Sequence, residues 1–70
     1  MTYPEWKLKL IKLIMDETRI KGTVFQVLAW KWDEITCVLN DDCDYPQSYG
    51  DGESPENIWQ GEMDAIYASQ

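Results

Sequence analysis

The chain has 70 residues, enough for one small domain, and carries six Lys or Arg against thirteen Asp or Glu, a net charge of −7, with no histidine. Lacking histidine, it excludes Ser-His-Asp and Cys-His nucleophilic arrangements, and Cys37 and Cys43 alone leave a zinc tetrahedron half empty. The negative balance argues against direct binding to DNA, RNA or an anionic membrane.

The first segment admits two structures. Thr2-Tyr3-Pro4-Glu5 has the form of a capping box with proline in the first turn, which predicts a helix. Trp6-Lys7-Leu8-Lys9-Leu10 alternates at period two, which predicts a strand and is preferred here. Residues 22–39 then read as a β-hairpin. From Gly22 the run is rich in β-branched and aromatic residues. It sets Val24, Gln26, Leu28 and Trp30 on one face and Thr23, Phe25, Val27 and Ala29 on the other. Trp32-Asp33-Glu34 is expected to turn the chain into a second strand, Ile35 to Leu39.

Residues 41–56 hold two prolines, two glycines and a concentration of acid, the composition of a loop with at most a short strand near Asp44–Tyr49. Ser54-Pro55-Glu56 resembles a helix start, with Ser54 as cap. Beyond it a short helix is expected, because Gly61 makes a long one uncomfortable. The fold class expected is therefore mainly β: a small SH3-like barrel or curved antiparallel sheet with a short C-terminal helix, in a single domain over 1–70. The alternative is α+β, with an N-terminal helix at 3–19, a central hairpin and a C-terminal helix.

The order of lysine-rich strand, polar loop, IKGTVFQVLAW, short turn and ITCVLNDD resembles small SH3-like β-barrels of the KOW type. In those, a glycine introduces a strand whose hairpin neighbour is strongly bent. That resemblance implies binding to RNA or protein through loops, although the acidic second half departs from the pattern. In composition the chain is also similar to small acidic bacteriophage proteins of the host-takeover and anti-defence kind. No signal peptide or membrane span is expected, and the two cysteines make no disulfide framework, so the expected setting is cytoplasmic, the host cytoplasm if a phage encodes it.

Charge is sharply divided along the chain. Residues 1–31 hold all six bases and three acids, hence +3; residues 32–70 hold ten acids and no base, hence −10. The functional expectation follows from this division: a non-enzymatic interaction protein that binds and inhibits a basic, nucleic-acid-binding host protein through an acidic face. The expected contact residues are Asp41, Asp42, Asp44, Tyr45, Tyr49, Asp51, Glu53 and Glu56, with Trp32 as an aromatic anchor. The alternative is a small-molecule-binding barrel or sponge walled by Trp30, Trp32 and Tyr45. Asn40, Asp42, Asp44 and Asp51 fall at positions 1, 3, 5 and 12 of a calcium-loop frame, but Tyr45 stands where that frame needs glycine, so neither metal nor cofactor is expected. A homodimer enters as a further partner, since the +3 half of one copy can face the −10 half of another.

Overall fold

A computed structural model describes residues 1–42 and 44–68 and resolves them into four helices: α1 (Tyr3–Met15), α2 (Val24–Leu39), α3 (Tyr45–Gly50) and α4 (Pro55–Ala68). Among the described residues there is no strand, so the expected β-barrel is overturned, and with it the resemblance to SH3-like and KOW-type barrels. The α+β alternative fails at its central hairpin, which is helical from Val24 to Leu39.

In each segment cap chemistry and burial spacing explain the helix. Thr2 Oγ1 accepts from the Glu5 backbone N–H, Pro4 lies in the first turn, and Trp6, Leu10 and Ile14 follow at intervals of four on the buried face. The period-two alternation in this segment is accidental, because Leu8 points to solvent. In α2, Thr23 and Gln26 form a reciprocal capping box: Gln26 N–H donates to Thr23 Oγ1 at 3.2 Å, and Thr23 N–H donates to Gln26 Oε1 at 2.9 Å. Val27, Trp30, Glu34 and Val38 then recur at intervals of three or four on the side nearest the core. Trp32-Asp33-Glu34 contains no glycine or proline to break the helix, and Thr36 Oγ1 donates back to the Trp32 carbonyl at 2.8 Å. The β-rich composition of α2 is thus outweighed by its cap and by packing.

Two helices end in Schellman turns. After α2, Asp42 N–H donates to Cys37 O and Asp41 N–H to Val38 O, with Asp41 left-handed at φ 58°. After α3, Glu53 N–H donates to Ser48 O and Gly52 N–H to Tyr49 O, with Gly52 at φ 80°. The segment 41–56 is therefore largely turn and helix. Cys37 is a half-buried free thiol, and Cys43 lies outside the described residues.

Helix α1 is the central element and packs against each of the other three. The core draws on all four helices: Trp6, Leu10 and Ile14 from α1, Val38 from α2, Tyr45 from α3, and Trp59 and Met63 from α4. Trp30 of α2 meets Trp59 of α4 with ring centroids 5.7 Å apart. Helix α4 begins where Ser54 Oγ accepts from Asn57 N–H, and it runs through Gly61 without a break. A Cβ at Gly61 would meet nothing within 4 Å. Gly61→Ala is accordingly expected to stabilise the fold by about 0.5–1 kcal/mol, read as a rise in Tm of roughly 3–6 °C. A lower Tm would mean that α4 does not continue through this point in solution.

Candidate functional site

The expected site residues divide between two separate surfaces. The first is the acidic end built around α3. Asp41 and Asp42 stand in the turn before it, Asp44 immediately precedes it, and Asp51 and Glu53 follow it. Tyr45 does not belong to this surface: it is buried in the core, 6.3 Å from the ring of Trp6. Tyr49 is half-buried, donates its hydroxyl to the Met1 carbonyl at 2.8 Å and packs 5.1 Å from the Tyr3 ring. These two tyrosines fasten α3 to α1, as does Trp6, whose Nε1–H donates to the Glu53 carbonyl at 2.8 Å.

Two of the acids are committed to internal pairs. Asp41 accepts from the Tyr3 hydroxyl at 2.6 Å and from Lys7 Nζ at 3.1 Å, and Lys7 also sits 4.6 Å from the centre of the Tyr3 ring. Burial and the hydrogen bond to Asp41 push the Tyr3 hydroxyl up to about 12. The same bond, helped by Lys7, holds the Asp41 carboxyl below its ordinary value. Glu56 pairs with Lys9 at 2.7 Å, which lowers its carboxyl likewise. Asp42, Asp44, Asp51 and Glu53 are exposed, and none forms an ion pair among the described residues. Behind them, Glu53 and Glu62 line a cleft of about 300 Å³ between α3 and α4, with Tyr45 in its wall. Glu34 is half-buried nearby; burial, then the charges of Glu62 and Asp33, push its carboxyl up. No three Asp, Glu or Cys side chains converge into a metal-holding group among the described residues. The calcium frame is broken physically, since α3 separates Asp44 from Asp51.

The second surface is apolar, and sequence reasoning missed most of it. Ile11 and Met15 of α1, with Leu28, Lys31, Trp32 and Ile35 of α2, line an open cleft of about 350 Å³. Trp32 therefore lies in this cleft and not with the acids. Neither Trp30 nor Tyr45 lines the cleft that holds Trp32, and Tyr45 is internal, so the three aromatics proposed as ligand walls do not share that cleft. A signal was present in the sequence: Phe25, Leu28, Trp32, Ile35 and Leu39 follow one another at steps of three, four, three and four.

No helix among the described residues is long and apolar enough to cross a membrane. No protein-family model, curated protein or solved structure matches the chain. The likeness to small acidic phage proteins thus rests on composition alone.

Proposed function

We propose that the protein is a non-enzymatic interaction protein whose acidic end, around α3, occupies a basic pocket on another protein and blocks it. The observation that supports this reading is the fixing of the acids. Asp42, Asp44, Asp51 and Glu53 are exposed without counter-charges, yet their backbone is pinned by buried Tyr45, by the Trp6–Glu53 hydrogen bond and by a Schellman turn at each end of the segment. Carboxylates held on an ordered frame can meet a basic surface without a large ordering cost.

Size limits what this end imitates. The six residues of α3 span about 9 Å, over which duplex DNA presents about five charges. Four unpaired acids are comparable to that number. They suit one phosphate-binding pocket and fall short of a whole nucleic-acid groove.

The test compares two variants of equal charge. One combines Asp42→Asn, Asp44→Asn, Asp51→Asn and Glu53→Gln; the other combines Glu5→Gln, Asp16→Asn, Asp33→Asn and Asp64→Asn, all at exposed sites outside α3 and its flanking turns. Asparagine tolerates the left-handed backbone at Asp44, so the first variant keeps its fold. The wild type, immobilised in cell lysate at low salt, is expected to capture a defined basic protein and release it at high salt. The α3 variant should bind that protein about tenfold or more weakly, and the control variant should match the wild type. Equal losses in both variants would reduce the effect to net charge and end the proposal.

A further inference from the structure

The acidic reading leaves the apolar face of α1 and α2 without a role. We propose that this face is where two copies of the chain pair, α2 lying antiparallel on the partner's α2 about a two-fold axis beside Trp32. Single exposed apolar residues need no explanation, but a contiguous stripe does. Phe25, Leu28, Trp32 and Leu39 are 85%, 57%, 67% and 56% exposed, and beside them Leu8 and Met15 of α1 are 65% and 61% exposed. The alternating steps of three and four along α2 are those of a helix seam made for another helix. Leu8, Ile11 and Met15 repeat the same steps on α1.

Three considerations select a second copy as the occupant. The first is area. With about 150–250 Å² for a fully exposed aromatic and somewhat less for Leu or Met, these six residues leave roughly 600–800 Å² open per copy, close to the share each partner contributes to a stable interface.

The second is self-complementarity. The stripe is nearly symmetric about its own middle, as an isologous contact requires. Antiparallel pairing sets Phe25 opposite the partner's Leu39, Leu28 opposite the partner's Ile35, and Trp32 against the partner's Trp32. The residues flanking the seam on the side away from α1 are Ala29 and Thr36, small and uncharged. On the other side Lys31 lines the cleft itself, its Nζ tied to the Met15 carbonyl at 2.8 Å.

The third is charge. Each copy carries −7, so an association must keep the acids apart. No residue of α3 or α4 lines the cleft. Because α3 follows the C-terminal end of α2, antiparallel pairing sends the two acidic ends to opposite poles. Parallel pairing would bring the exposed Asp42 of both copies, which has no ion-pair partner among the described residues, to the same end, and like charges disfavour it. The contact also covers apolar surface in a domain too small to bury a large core alone.

Sedimentation equilibrium on the full chain, from ~1 µM to ~500 µM, reads the outcome directly. The expected result is a reversible shift from 8.2 kDa to twice that mass. Trp32→Glu places two carboxylates against each other at the axis and should raise the dissociation constant at least ~100-fold. Phe25→Glu, at the most exposed position, tests the same face with no demand on the monomer's core. Helical circular dichroism should be unchanged in both. A wild type that stays monomeric at the highest concentration overturns the proposal, as does a dimer indifferent to both substitutions. Capture of a monomeric wild type by phosphatidylcholine vesicles would assign the face to a lipid surface and likewise overturn it.

Discussion

Leu10→Ala is expected to remove most of the protein's stability. The side chain has no exposure and sits midway along α1, the helix on which the other three are assembled. Truncating a leucine in such a place costs about 2–5 kcal/mol, from lost transfer energy and the cavity left behind. A 70-residue domain has only about 3.5–10 kcal/mol in total. At 3 kcal/mol the melting temperature falls by roughly 12–24 °C. The chain has few means of closing the gap, because Trp6 and Ile14 on either side of Leu10 are themselves buried and Trp6 is tied to Glu53. Leu8→Ala, two residues away and largely exposed, should change stability by less than about 0.5 kcal/mol in the monomer. Urea unfolding of the two variants under dilute conditions gives the comparison. Similar losses at both positions would mean that α1 does not present these faces, and the helical packing described here would be wrong.

Glu17→Gln should have the second largest effect, and its signature is in the pH dependence. Glu17 is the one buried charged residue among those described, 8% exposed, just beyond the end of α1. Its carboxylate receives Arg19 Nε at 2.7 Å, Arg19 Nη2 at 2.8 Å, the Arg19 backbone N–H at 3.0 Å and Trp59 Nε1 at 3.0 Å. Arg19 stacks in turn over Tyr67, 5.6 Å from its ring centre. One carboxylate thus joins the α1–α2 connection to α4. The bond from Arg19, against burial and aided by its backbone and by Trp59, lowers the Glu17 carboxyl from the ordinary 4.5 to about 2.

The folded value lies below the unfolded one, so the stabilisation is complete above pH 4.5 and disappears as pH falls through 2. With the half-exposed Arg19 side discounted for solvent screening, it amounts to about 2–3 kcal/mol. Glu34 acts in the opposite sense: its raised carboxyl takes up a proton more readily in the folded state, so acid relieves a strain there. Glu17→Gln is therefore expected to cost about 2 kcal/mol at pH 7, with the two stability curves converging as pH drops from 4.5 toward 2. A difference that stays constant over this range would assign the loss to packing, and the ionised hub would be refuted.

The acidic end and the apolar face differed in how far the sequence exposed them. Ten acids after Trp32 are visible in any reading, and five of them, Asp41, Asp42, Asp44, Asp51 and Glu53, stand on the turns beside α3, while the other five lie in α2 and α4. Their pairing is another matter. That Asp41 serves Tyr3 and Lys7, and Glu56 serves Lys9, depends on α1 running past both, which no local pattern states. Trp32 and Tyr45, both expected as contact residues, parted for the same reason. Both are aromatic residues beside acids, and only the packing of α2 and α3 on α1 makes one exposed and the other internal.

Taken alone, the sequence carried the signals for local helix starts, although the period-two alternation after Thr2 favoured a strand over the first of them. Thr2 with Glu5 and Ser54 with Asn57 start α1 and α4 because a side-chain oxygen reaches a backbone N–H within one turn, and such chemistry needs nothing distant. It determined the division of charge and the absence of histidine chemistry as well. In residues 22–39 the Thr23–Gln26 cap is equally local, but which sides of the segment are covered was decided only in three dimensions. A segment apolar on nearly every side satisfies a buried strand as well as a helix with one face in the core and another open. Burial belongs to what surrounds a residue, and that is set by the other helices.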